Sequence, residues 1–170
     1  MTRSIPSRRA LSETALIQNP TLGAFALWKF GLSYQGRIAT RPSLPLAFLV
    51  LPLVLHEATR GLIGSTQKAS GLALFAEKLG AHRENLIAVH DRALRLRELT
   101  LESIAVGVST KLLTLDYEEA RLRANTLDET VMSPMLPERI KWAASTADKL
   151  GHWFAGIPDQ QVARTLKIDF

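Results

Sequence analysis

The 170-residue chain contains no cysteine. This absence excludes a disulfide framework and a metal site built from thiolates, and it suits a reducing compartment such as the cytoplasm, where we expect the protein. The hydrophobic fraction of 46% and the charged fraction of 22% are ordinary for a globular protein and argue against wholesale disorder. At this length we expect one domain with a buried core.

A charge-free apolar segment occupies residues 44–55, but it is too short to cross a membrane, because a spanning helix needs roughly 20 apolar residues. Pro45 and Pro52 punctuate this segment, and proline is disfavoured inside a helix. We expect a helix that kinks or restarts at Pro52 and ends near Leu62. It should lie in the core or at an interface, without contact to a membrane.

Motifs for catalysis are scarce in this sequence. The phosphate-binding loop GxxxxGK[ST] is absent, so we expect no ATP hydrolysis by this chain. The four histidines are His56, His82, His90 and His152. They lie far apart and lack the i, i+4 pairing with carboxylates that a helical metal site uses. We therefore expect no catalytic residue, cofactor or metal in this chain, and we interpret His56 and Glu57 as the polar rim of a buried helix.

Several helices are predicted from capping residues and apolar periodicity. Asn19 followed by Pro20 marks the start of the first, since both residues suit a helix N-terminus. Further helices are expected at residues 69–79, 82–99, 101–106 and about 137–156. Gly151, inside the last of them, costs roughly 1 kcal/mol relative to alanine. This indicates close packing by another backbone, which Gly151→Leu should disrupt.

A small β-hairpin is predicted in the second half of the chain. Residues 111–115 and 120–124 favour strands joined by a turn, and a helix over 118–127 is the competing interpretation. Residues 165–170 alternate in polarity and predict a short C-terminal strand. The predicted fold class is mainly α: one helical domain over residues 13–170, with a winged-helix-like part at about 82–125 and that short strand.

The net charge of +5 raises the question of nucleic-acid binding. Residues 1–12 are expected to form a flexible basic tail, or alternatively an arm that touches DNA phosphates or an acidic partner. Candidate phosphate contacts are Arg83, Arg92, Arg95 and Arg97. The alternative is a solvated helix face partly paired with Glu84, Asp91 and Glu98. Sequence readout is not expected, because residues 101–106 offer no Arg, Lys, Asn or Gln to reach base edges.

Three segments, residues 19–30, 43–60 and 147–155, together resemble the middle component of bacterial three-component ABC systems, the Lamassu-like defence cassettes. The resemblance covers most of residues 19–170. It implies an accessory subunit that docks on an SMC-like ABC ATPase and couples the sensing of foreign DNA to an effector nuclease. ATP and Mg²⁺ would be bound by the partner ATPase, and the complex would act against phages or plasmids.

Partner contacts are expected from the apolar segment and from the end of the last helix. The residues concerned are Pro45, Phe48, Pro52, His56, Arg60, Gly151, Trp153 and Phe154. Buried aromatic anchors commonly dominate binding energy. The main alternative function is a free-standing winged-helix DNA-binding regulator, which the basic charge favours and the apolar 101–106 segment disfavours. A small enzyme of unknown class ranks third.

Overall fold

The computed structural model describes residues 14–15, 18–128, 130 and 135–169, so the predicted tail at 1–12 lies outside the described residues. The fold is mainly α-helical with one small hairpin, which confirms the predicted class. The helices are α1 (Pro20–Ile38), α2 (Leu44–Val54), α3 (Glu57–Gly64), α4 (Gly71–Gly80), α5 (Arg83–Arg95), α6 (Arg97–Ser109), α7 (Trp142–Ala155) and α8 (Asp159–Thr165). Short 3₁₀ turns occupy Lys68–Ser70 and Glu138–Ile140, and the strands are β1 (Leu113–Asp116) and β2 (Arg121–Ala124).

Helix α1 is the central element of the fold. Its predicted N-cap is confirmed, because the side-chain oxygen of Asn19 accepts a hydrogen bond from the Leu22 N–H at 3.0 Å. The helix packs along α6 and α7 and against β2. A Cβ atom at Gly31 would lie 2.7 Å from the Ala124 Cβ, so glycine at this position permits the close approach of the hairpin.

Helix α2 continues through Pro52 to Val54, so no restart occurs at Pro52. The helix expected to reach about Leu62 is instead divided at Leu55 and His56, and a kink at Pro52 stays a prediction. Proline lacks one helical N–H, but the surrounding side chains of this helix are buried and their packing keeps the segment helical. The turn comes later, where His56 caps the start of α3, and the two helices are bent by 98°. In the part of the chain that is described, no single helix is long and apolar enough to cross a membrane, and only this bent pair meets that test by length and composition.

Helices α5 and α6 meet at Leu96, which corrects the predicted division into a helix at 82–99 and a short helix at 101–106. Leu96 and Leu99 are buried in the core, and the Thr100 hydroxyl donates to the Leu96 carbonyl at 3.0 Å within α6. The helix that was expected to end at residue 106 continues to Ser109. A Cβ at Gly107 would lie 2.4 Å from the Leu113 Cδ1, so this glycine lets β1 pack against the helix.

The hairpin is confirmed, and the competing helix at 118–127 is not formed. Strands β1 and β2 are antiparallel, with Leu113 opposite Ala124 and Leu115 opposite Leu122. The predicted C-terminal strand is wrong, because Asp159–Thr165 is helical and residues 166–169 form a turn and coil. The backbone of residues 42–44 already binds β2, through Leu122 N–H to the Pro42 carbonyl and Leu44 N–H to the Ala120 carbonyl. That edge is therefore not free to accept another strand.

Most buried apolar residues of the described chain form one core cluster that includes side chains from all eight named helices and both strands. Two aromatic contacts connect α7 to its neighbours. The Phe154 ring meets the Phe30 ring edge-on at 5.6 Å, and the Trp153 ring stacks on the Phe75 ring at 5.6 Å. The predicted helix over 137–156 is therefore a 3₁₀ turn followed by α7, whose apolar side lies in the core.

Candidate functional site

The junction of α2 and α3 holds two of the predicted partner residues, His56 and Arg60. The His56 Nδ1 accepts from the Thr59 N–H at 3.4 Å and lies 2.9 Å from the Thr59 hydroxyl oxygen. Arg60 donates to the Leu55 carbonyl at 3.1 Å, and its guanidinium lies 4.2 Å from the centre of the Trp142 ring. Both side chains therefore stabilise a helix boundary, as the interpretation of a polar rim proposes.

Arg92 has a structural role at the same junction. Its guanidinium donates to the Pro52 carbonyl and to the Thr59 hydroxyl, each at 3.0 Å, and also to the carbonyls of Asn85 and Ala88, each at 3.3 Å. Burial lowers the pKa of Arg92 from its ordinary value. These contacts link α2, α3 and α5 and disfavour Arg92 as a free contact for phosphates.

Lys149 was not singled out by its sequence, yet it performs a similar task at the end of α3. Its Nζ atom donates to the carbonyls of Ile63, Gly64 and Thr66 at 2.9 to 3.1 Å. Carbonyls at a helix C-terminus lack helical partners and form the negative end of the helix dipole. The sequence signal was a lysine beside the apolar positions of α7, but its acceptors lie more than 80 residues away.

Four of the predicted partner residues are buried in the protein interior. Pro52, Trp153 and Phe154 are buried, and Gly151 is pressed against α1. A Cβ at Gly151 would lie 2.3 Å from the Phe30 carbonyl oxygen, so the close backbone packing expected there is present within the chain. Partner contact by these four residues stays a prediction, and their burial disfavours it.

The other two predicted residues, Pro45 and Phe48, line an open groove of about 430 Å³ between α2 and α5. The groove is lined by Leu44, Pro45, Phe48, Leu49, His90, Ala93, Leu94, Arg97, Ala120, Ile168 and Asp169. Most of these side chains are apolar. The α2 wall belongs to the apolar segment that the sequence singled out, whereas the α5 wall and the C-terminal residues were missed, because they are distant in sequence.

His90 is the notable polar residue of the groove. Its Nδ1 atom is buried and makes no hydrogen bond to any of the described residues. A buried polar atom without a partner carries a free-energy cost. Because this Nδ1 is closed off from solvent, it offers no hydrogen bond to a group bound in the open groove. On α5, Ile87 and Leu94 are 55% and 61% exposed, so large apolar side chains continue from the groove onto the outer surface of this helix.

The arginines of α5 and α6 do not share one environment. Arg83, Arg95 and Arg97 are exposed and form no ion pair with any described residue, so the expected pairing with Glu84, Asp91 and Glu98 is not formed. Contact of these three arginines with phosphates stays a prediction. No group of three histidine or carboxylate side chains in the described part of the chain is arranged to hold a metal ion.

The fold and the groove define a small, mainly helical protein with an open apolar recess on its surface. The chain belongs to the family described as ABC-three component (ABC-3C) system Middle Component 3, whose family model matches residues 7–170. It is therefore a middle component of a three-component ABC system, an accessory role within an assembly. Neither a curated protein nor a solved structure matches the chain.

Proposed function

We propose that this chain is a non-enzymatic, cytoplasmic subunit that docks on the SMC-like ABC ATPase of a Lamassu-like defence system. In this proposal it couples the sensing of foreign DNA to an effector nuclease and so acts against phages or plasmids. The observation that carries the proposal is the match of residues 7–170 to a middle-component family. The open apolar groove supports a docking role, because contiguous apolar surface on a protein commonly marks an interaction site.

The mechanism we propose is conformational. The subunit holds the ATPase and the effector in a restrained arrangement until foreign DNA engages the ATPase. The order of α5, α6 and the hairpin supports a winged-helix-like accessory module within this subunit. The non-enzymatic role is supported by His56, Arg60 and Arg92, whose side chains are engaged in stabilising helix ends. ATP and Mg²⁺ are assigned to the ATPase.

Co-expression with the two neighbouring genes tests this proposal. A tagged version of the chain is purified, the eluate is sized, and its components are identified by mass spectrometry. We expect stoichiometric recovery of a large ABC ATPase, and ATP turnover in that complex that changes when this subunit is omitted. Recovery of a lone dimer that shifts one DNA sequence would overturn the proposal in favour of a DNA-binding regulator.

A further inference from the structure

Helix α5, which forms one wall of the groove, has few buried side chains. Of its 13 residues, Val89 is the one that is fully buried, although α5 packs on α2, α4 and α6. Ile87 and Leu94 are more than half exposed. A helix that faces a core on one side normally places its large apolar side chains on that side and polar ones outside. The two exposed side chains therefore suggest a second apolar contact that the isolated chain does not make.

The outer side chains of α5 follow a regular spacing. Arg83, Ile87, His90 and Leu94 are separated by four, three and four residues. On a helix of 3.6 residues per turn, these positions fall within about 60° of arc, on one face. The same spacing lines the contact between two helices in a coiled coil. Arg97, the first residue of α6, lies just beyond the break at Leu96 and also lines the groove. We call Arg83, Ile87, His90 and Leu94 of α5, together with Arg97 of α6, the α5 seam.

The charges of the α5 seam define what can complement it. Arg83 and Arg97 stand at its two ends, and neither forms an ion pair with a described residue. Among the described residues that line the groove, Asp169 is the acidic one. A partner with carboxylates at matching positions would pair with both arginines at an interface, where electrostatic complementarity favours the correct partner and its orientation. The middle of the seam, where Ile87 and Leu94 are exposed, requires apolar side chains.

We infer that the groove and the α5 seam bind an amphipathic helix of another component of the three-component system. Apolar residues of this helix, at heptad spacing, would lie between Phe48 and Leu94, with a carboxylate near each end. Because α5 has 13 residues, the partner helix needs about 20 Å of length. The inference rests on the proposed function and names the recognition chemistry of that interface.

Site-specific photo-crosslinking in the co-expressed, purified complex tests whether the partner helix binds at the groove and the α5 seam. A photoreactive amino acid replaces Leu94 in one sample and Leu74 in the control. Leu74 is an exposed leucine of α4, at 36% exposure, that does not line the groove. We expect position 94 to crosslink to one helical segment of the ATPase or effector, with apolar residues at heptad spacing and flanking carboxylates. Position 74 should give at least about tenfold less of that product.

Charge-changing variants test whether the partner helix is apolar in the middle and carries carboxylates at its ends. Leu94→Glu and Arg97→Glu should each reduce recovery of the complex at least about tenfold, because they place a carboxylate against an apolar and acidic partner helix. Arg95→Glu is the matched control: it makes the same charge change at another exposed arginine without an ion pair, about 100° around the helix from Leu94. Recovery with this variant should stay within about twofold of wild type. Arginine at the crosslinked carboxylate of the partner should restore recovery with Arg97→Glu.

The possible outcomes separate this inference from the proposed function. A complex that assembles normally with Leu94→Glu would overturn the inference and leave the proposed function standing. Crosslinking of position 94 to a second copy of the chain or to DNA would also overturn it. If the wild-type components fail to associate, both are overturned. Circular dichroism of each variant checks that loss of assembly does not come from loss of the fold, and Leu94→Ala provides a milder variant in the same assay.

Discussion

At the scale of single residues, several basic side chains bind backbone carbonyls rather than acids. Arg92 donates to the Pro52 carbonyl, Arg60 to the Leu55 carbonyl, and Lys149 to three carbonyls at the end of α3. Most of these carbonyls lie at helix C-termini, where intrahelical donors are missing and the helix dipole is negative. Part of the net charge of +5 is therefore structural, and the charge by itself is weak support for nucleic-acid binding.

We predict that Arg92→Met lowers the free energy of unfolding by about 2 kcal/mol, because the Pro52 carbonyl and the Thr59 hydroxyl lose a charged donor in a partly buried place. Arg95→Met removes the same charge from an exposed side chain and should change stability by no more than about 0.5 kcal/mol. Urea unfolding of both variants measures the difference. Equal midpoints for the two would contradict the structural role of Arg92.

Gly151 provides a second prediction at this scale. Gly151→Ala places a Cβ atom 2.3 Å from the Phe30 carbonyl oxygen, so α7 must move away from α1. The free energy of unfolding should fall by about 1–3 kcal/mol, as for other overpacked interiors. The control is Gly36→Ala, because Gly36 is an exposed position of α1 with open space around it. This control should gain about 0.5–1 kcal/mol. Urea midpoints that rise for both variants would exclude the close contact.

At the scale of secondary-structure elements, the hairpin depends on a side chain of α1 as well as on strand pairing. The Gln35 side chain donates to the Ala124 carbonyl at 3.0 Å and accepts from the Ala124 N–H at 2.8 Å. Both backbone groups of that residue are thus satisfied by one amide, as they would be by a neighbouring strand. The Trp28 Nε1 adds a bond to the Asn125 carbonyl at 2.8 Å. A two-stranded sheet is marginal in isolation, so these contacts hold it in place.

We predict that Gln35→Leu loosens the hairpin. The Ala124 N–H and C=O lose their partners, which should cost about 1–3 kcal/mol and speed amide exchange at Ala124. Gln161→Leu, at an exposed position of α8, is the matched control and should leave that exchange unchanged. Hydrogen exchange followed by NMR measures both. Unchanged protection of Ala124 in Gln35→Leu would show that the strand pairing alone supports the hairpin.

The elements differ in how far the sequence could predict them. The start of α1 and the hairpin follow from local signals, namely the Asn19–Pro20 cap and the alternation at 120–124. The restart expected at Pro52 lies instead at Leu55 and His56, and the expected C-terminal strand is not formed, because long-range contacts decide both segments. Arg92 secures the end of α2 from 40 positions away, and residues 42–44 occupy the edge that a C-terminal strand would need. Such partners are not visible in a local pattern.

At the scale of the whole molecule, the groove too could be predicted only in part from the sequence. Pro45 and Phe48 were predicted as partner-binding residues and line it, whereas His90 and Leu94 come from a helix that was interpreted through its arginines. The periodicity of α5 contained the relevant signal, since Ile87 and Leu94 share a face. It could not be distinguished from a core-facing stripe until the position of α2 and the exposure of both side chains were known.

Helix α5 has far fewer buried side chains than α1 and α7, and this difference leads to a prediction about local opening. In the isolated chain, amides in the middle of α5 should exchange at least about tenfold faster than those of α1 and α7, because a helix with few buried side chains opens locally at low cost. In the assembled complex, α5 should gain protection while α1 and α7 stay nearly unchanged, since a bound helix would bury Ile87 and Leu94. Hydrogen exchange with mass spectrometry of the chain alone and in the complex measures both effects. Protection that rises instead on the face of α4 bearing Leu74, with α5 unchanged, would place the partner elsewhere and would show that the exposed row on α5 does not determine assembly.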